Sequence, residues 1–367
     1  MVPACTSGDT SPYPDRMTLP SLEEAYLLPT ESCGNFFIAS VMLNGEGPWD
    51  FLMDSGAGRT LLSPHVMKEA GLGRRIDELA IGEFQAFEIG YDRLDMRELS
   101  AALGRRVYGI LGHPVFAGAL MTWDFPEGTI ELQVGELPAN GEGVIAAQED
   151  IRPFVRARAG GTSRWVLIDT GSSRGLTLRS PDALPMSSPL QTTGARARVD
   201  GTYLVNTGRM SGTASVGPMQ IETPVVANSV SVDLVGQEVL RHFRITFDQQ
   251  NDRIRFERPD TAVGTPIRSA AVRTSGYAIR PDSTSAEVVR VFRQDTPVQE
   301  GDRILEVGGT RWADRTCPVR HTGVVDDPDP DTVEVRVDRD GDELLLRVPR
   351  WVIHPRDSMN AGATPRP

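Results

Sequence analysis

The chain is poor in the features that define several protein classes. Its 367 residues include three cysteines, Cys5, Cys33 and Cys317. That is too few for a disulfide framework, and without a Cys-x-x-Cys pair no structural zinc site is expected. No apolar run reaches about 18 residues, so no transmembrane helix is expected. Blocks of like charge are missing. Acid and base are interspersed around a net charge of −12, which argues against nucleic acid or a strongly anionic membrane as partner. His-Glu-x-x-His, Gly-x-Ser-x-Gly, phosphate-loop and dinucleotide motifs do not occur. The five histidines (His65, His113, His242, His321, His354) show no ligand spacing and read as ordinary polar positions. Neither a metal nor a cofactor is expected.

What is abundant is turn-forming residues. With 36 glycines and 27 prolines, the chain reads as mostly β. It also carries an internal repeat. One copy holds Phe51-Leu52-Met53-Asp54-Ser55-Gly56-Ala57, the other Val166-Leu167-Ile168-Asp169-Thr170-Gly171-Ser172. A second landmark follows in each: Ile110-Leu111-Gly112 and Leu234-Val235-Gly236, then Trp123-Asp124 and Phe247-Asp248. Ile130 and Leu132 match Ile254 and Phe256 at the same offset of 124. Ser63-Pro64 and Ser180-Pro181 each open a short helix. The copies differ in one respect. Alternating residues flank Asp200-Gly201 in the second, predicting a hairpin across Ala195–Val205. The first passes from its helix almost directly into Leu79-Ala80-Ile81-Gly82, so its own hairpin is shortened or absent.

Each motif delivers a carboxylate at the end of an apolar strand, followed by a hydroxyl and a glycine that lets the backbone approach closely. Duplicated units commonly pack about a two-fold axis, which would bring Asp54 and Asp169 together. Two touching carboxylates share a proton, so one serves as general base and the other as general acid toward a water between them. Ser55 and Thr170 can lock the two loops, and Gly56 and Gly171 leave N–H groups free for the carboxylates. Ser172, opposite Ala57 in the other copy, can donate to its carboxylate and lower the first ionisation.

These paired motifs resemble the pepsin and retropepsin clan of aspartic proteases over residues 35–257. The resemblance implies two retropepsin-like β-barrel lobes, 35–137 and 138–259, related by pseudo-two-fold symmetry, with Asp54 and Asp169 as the dyad and Gly112 and Gly236 behind the active-site loops. It implies an aspartic endopeptidase acting on polypeptides as a monomer. It also implies a flap hairpin, best matched around Val199–Tyr203 with Tyr203 as a candidate flap aromatic. Arg59 and Arg174 stand where retropepsins line substrate subsites, so twin arginines could select acidic side chains. The alternative is a non-catalytic peptide-binding or scaffold protein that keeps the fold.

Residues 1–34 read as a tail with a first strand, 260–275 as a linker and 355–367 as a tail. Residues 276–354 resemble a PDZ domain through Gln299-Glu300-Gly301-Asp302-Arg303-Ile304-Leu305-Glu306-Val307-Gly308-Gly309. That implies a site for a peptide C-terminus at Ser275-Gly276-Tyr277-Ala278-Ile279, although Asp314–Asp331 offers no clear groove helix. Val2-Pro3-Ala4-Cys5 is similar to the end of a bacterial lipoprotein signal. The location is therefore the cell envelope if Cys5 carries lipid, and the cytoplasm if Cys5 is a free thiol.

Overall fold

The computed structural model describes residues 11–354 except 22, 199–200, 230, 260–263, 316, 318–323 and 326–330, without the side chains of 196–198, 201–202 and 324–325. Cys5, the Val199-Asp200 tip and most of Asp314–Asp331 lie outside the described residues. The fold is mostly β, with helix confined to short segments.

In the first part, six strands close into a barrel. Phe36–Leu43 pairs with Glu46–Asp54, which runs parallel to Gly109–Gly112. Gly109–Gly112 pairs with Thr60–Leu62, which runs parallel to the end of Phe84–Arg93. The hairpin Arg75–Ile81/Phe84–Arg93 returns to Phe36–Leu43 and closes the ring. The first turn is Asn44-Gly45, both at positive φ, the dipeptide that tight hairpins favour because its twist matches the strands. Pro64–Glu69 is a helix whose Ser63 cap accepts from the Val66 N–H.

The second part repeats this path in an open sheet. Thr162–Ile168 runs parallel to Leu234–Val235, which pairs with Leu176–Leu178, itself parallel to Val225–Asn228. Here the turn at Gly217-Pro218 joins Thr213–Val216 to Met219–Glu222. The hairpin Met186–Arg198/Gly201–Met210 is extra. The hairpin expected around Asp200 is therefore longer than its alternating core suggested, and the barrel has no counterpart to it.

A six-stranded sheet joins the two parts. Leu120–Asp124 and Arg244–Asp248 pair antiparallel at its centre, with Thr122 opposite Thr246 and their hydroxyls 2.9 Å apart. One continuous core runs through all three sheets, with Met53, Leu111, Trp123, Ile168, Val235 and Phe247 buried in it. Leu52 and Ile110 point to the other face, where the helix Arg97–Leu103 covers them with Met96 and Leu103. Residues of the N-terminal stretch are woven in: Arg16–Thr18 extends the barrel edge and Tyr26–Leu27 extends the six-stranded sheet.

The C-terminal unit has its own core of Ala286, Val288, Val298, Ile304, Trp312, Val335, Val337 and Val348. Its strands Tyr277–Pro281, Ala286–Val291, Arg303–Val307, Thr332–Arg339 and Asp342–Pro349 form an antiparallel sheet in that order. Arg339 grips the buried Asp302 through two bonds of 2.7 Å, fixing the Gln299–Asp302 turn. The stretch read as a linker carries strands Ile267–Arg268 and Ala271–Thr274, the latter paired with Trp351–His354.

Cysteine arithmetic missed one covalent link. Cys33 and Cys317, 284 residues apart, form a disulfide. Spacing could not have paired them, because their proximity depends on the C-terminal unit docking against the barrel, where the Cys317 N–H donates to the Leu103 carbonyl at 2.8 Å. We expect non-reducing peptide mapping to recover this bridge, and Cys33→Ser with Cys317→Ser to lower stability by about 2–4 kcal/mol in denaturant titration.

Candidate active site

Phe51 and Met53 are buried on one side of their strand and Leu52 on the other. An apolar run covered on both faces is what a central strand needs, and it carries Asp54 to the strand's end. The parallel neighbour Gly109–Gly112 places Gly112 beside Asp54. Val166, Leu167 and Ile168 are buried in the same way. The Asp169 N–H donates to the Val235 carbonyl at 3.0 Å.

Beyond each aspartate the chain turns sharply and crosses the landmark glycine. A Cβ on Gly112 would lie 2.5 Å from the Arg59 carbonyl carbon, and one on Gly236 would lie 2.4 Å from the Arg174 carbonyl oxygen. No other residue fits at either crossing without moving backbone. The His113 N–H donates to the Ala57 carbonyl at 2.9 Å, and the Gln237 N–H donates to the Ser172 carbonyl at 2.8 Å.

The two loops meet. The Ser55 N–H donates to Thr170 Oγ1 at 2.9 Å, and the Thr170 N–H donates to Ser55 Oγ at 3.0 Å. Ser55 Oγ in turn donates to the Ile168 carbonyl at 2.7 Å. Ser55 and Thr170 are fully buried. The Gly56 N–H donates to Asp54 Oδ1 at 2.7 Å, and the Gly171 N–H donates to Asp169 Oδ1 at 3.0 Å. The glycines also stand beside the opposite aspartate: a Cβ on Gly171 would lie 2.4 Å from Asp54 Cγ, and one on Gly56 would lie 2.7 Å from Asp169 Cγ. The carboxyls of Asp54 and Asp169 are in hydrogen-bonding contact.

Burial raises the Asp54 pKa above the ordinary carboxylate value. Hydrogen bonds from the Gly56, Gly171 and Ala57 backbone and from Asp169 oppose this without cancelling it. Nearby His113 is buried and pushed down to about 3 by desolvation, so it is neutral at ordinary pH and adds no charge.

The Ser172 backbone N–H donates to the Asp169 carbonyl at 3.3 Å, and its Cβ lies under Gly236. Arg59 is ion-paired to Asp92 at 3.0 Å. Arg174 is buried and acts electrostatically on Glu238. Tyr203 is partly exposed on the long hairpin, facing Arg196 across it. Sequence reading missed Gln237, whose side chain donates to the Thr170 carbonyl. Its position after the landmark glycine, in register with His113, was the available signal. A separate cleft of about 550 Å³ between the helix Arg97–Leu103 and the C-terminal unit is lined by neither aspartate.

Compared with known proteins, the chain matches no family model and no curated protein.

Thr170→Ala leaves the buried Ser55 N–H without its acceptor, and we expect a loss of about 1–3 kcal/mol in urea denaturation. Thr170→Ser keeps the acceptor and loses a single methyl, and should cost about 0.8 kcal/mol or less.

Proposed function

We propose that the chain is an aspartic endopeptidase, a two-lobed retropepsin-like protease in one chain with a PDZ-like C-terminal unit. The observation that carries this reading is the contact between the carboxyls of Asp54 and Asp169, brought together across 115 residues by reciprocal hydrogen bonds of their own loops. The central Thr122–Thr246 pair supports a pseudo-two-fold axis. The residues around it are related both by antiparallel pairing and by the repeat offset of 124.

The chemistry follows from one shared proton. Like charges in contact cannot both ionise cheaply, so the dyad holds one proton between two carboxyls. A water between them gives its proton to the ionised carboxylate and attacks the scissile carbonyl. The protonated partner donates to the developing oxyanion, and the resulting tetrahedral species collapses with proton transfer to the leaving amine. The Gly56 and Gly171 N–H groups orient the carboxylates without titrating. The substrate is a polypeptide. The disulfide favours the envelope over the cytoplasm, because such bonds persist in oxidising compartments.

Asp54→Asn and Asp169→Asn should each lower the rate of peptide-library hydrolysis by about 100- to 10,000-fold while leaving the thermal transition in place. Unchanged hydrolysis in both variants would sink the assignment.

The raised Asp54 pKa sets a pH window. Folded protein keeps this proton above the ordinary aspartate pKa, where the unfolded chain has lost it. Stability therefore falls as pH rises through that window, and the one-proton dyad is lost over the same range. We expect kcat/KM to decline on that alkaline limb, and the matching slope in denaturation free energy to flatten in Asp54→Asn.

A further inference from the structure

The long hairpin is the element least able to hold itself. Its inner part is paired into the sheet, with Thr207–Arg209 against Val225–Ala227. From Thr192 and Asn206 outward its two strands, among the described residues, form ladder pairs with each other alone. An isolated two-stranded ribbon is marginal in water, so its position must come from what it touches.

Its contacts among the described residues include the barrel and the C-terminal region. Strand Met186–Arg198 packs against the helix Arg97–Leu103, on the face of the barrel opposite the six-stranded sheet. The same strand packs against Tyr277–Pro281, the end strand of the C-terminal sheet, and against Ala271–Thr274. The second contact is polar, buried and specific. His354 has no exposed surface. Its Nε2 lies 2.9 Å from the Thr207 carbonyl, which can only accept, so Nε2 carries the proton and Nδ1 accepts from Ser188 Oγ at 2.8 Å. One imidazole thus bridges both strands of the hairpin. Arg209 donates to the Ala270 and His354 carbonyls at 2.9 and 3.1 Å. Thr274 Oγ1 donates to the Thr193 carbonyl at 3.2 Å, at the start of the self-paired stretch.

We propose that the C-terminal region uses the Ala271–Thr274/Trp351–His354 pair, beside Tyr277–Pro281, to hold this hairpin in place, with His354 as a positioning residue for substrate binding. The region thereby acts in cis, on the surface where the PDZ resemblance would put a foreign peptide C-terminus. This rests on the protease reading for its consequence and on the docking contacts alone for its mechanism. As the flap of the protease reading, the hairpin meets substrate and not the dyad, so losing its anchor weakens peptide binding rather than the dyad's chemistry.

The test uses the full chain with its disulfide intact. His354→Ala removes the imidazole's bonds to Ser188 and Thr207, His354→Gln keeps a donor toward Thr207, and Thr274→Val removes one hydroxyl at nearly constant volume. Hydrogen exchange at residues 192–206 should accelerate at least tenfold in His354→Ala and measurably in Thr274→Val, with the Glu46–Asp54 strand unchanged and partial restoration in His354→Gln. KM for an unstructured peptide should rise at least fivefold in His354→Ala, with kcat within twofold of wild type. Unchanged hairpin exchange in both His354→Ala and Thr274→Val overturns the anchoring, as does exchange that accelerates equally throughout the chain. A fall in kcat at constant KM overturns the positioning role. Should His354→Ala fail to fold, Thr274→Val carries the comparison. A wild type that exchanges as expected but cleaves no peptide refutes the protease reading while leaving the anchoring established.

Discussion

Two backbone N–H groups and two hydroxyls, exchanged between loops that are far apart in sequence, hold the centre of this molecule. Ser55 and Thr170 each supply the acceptor that the other's buried N–H requires. Neither loop can withdraw without stranding a polar group in a place water does not reach, at a cost of about 1–3 kcal/mol per group. That mutual dependence sets the register of one half against the other and brings two carboxyls into contact that would otherwise separate. The six-stranded sheet beneath supplies the rest of the constraint, since Thr122 facing Thr246 leaves the two central strands no freedom to slide.

The constraint also explains where glycine is unavoidable. Gly56 and Gly171 each stand against the aspartate of the other loop, and Gly112 and Gly236 each lie under the chain that leaves the aspartate. All four positions are set by close approach rather than by turn conformation, for none carries a positive φ. The carboxyl contact and its backbone donors therefore depend on missing side chains as much as on the side chains present.

The two parts differ on the side away from the shared sheet. The barrel closes with Arg75–Ile81 and Phe84–Arg93. The hairpin from Met186 to Met210 has no counterpart there. An unpaired ribbon on one side needs a support, and the C-terminal unit, tied to the barrel by Cys33–Cys317, stands against it. The polar contacts with the hairpin include those of His354, a residue whose sequence context is unremarkable.

The β character, the apolar strands that lead to Asp54 and Asp169, and the helix starts at Pro64 and Pro181 were legible in the sequence, because each is written in local chemistry: apolar runs, turn residues and caps. Contacts between distant segments were not. The Cys33–Cys317 bond, the Arg59–Asp92 ion pair, and the contacts of Gln237 and His354 depend on which surfaces meet after folding. Local composition encodes which element forms and which face it buries. The partner of a polar side chain is selected by packing across the whole chain, and only the tertiary structure decided it here.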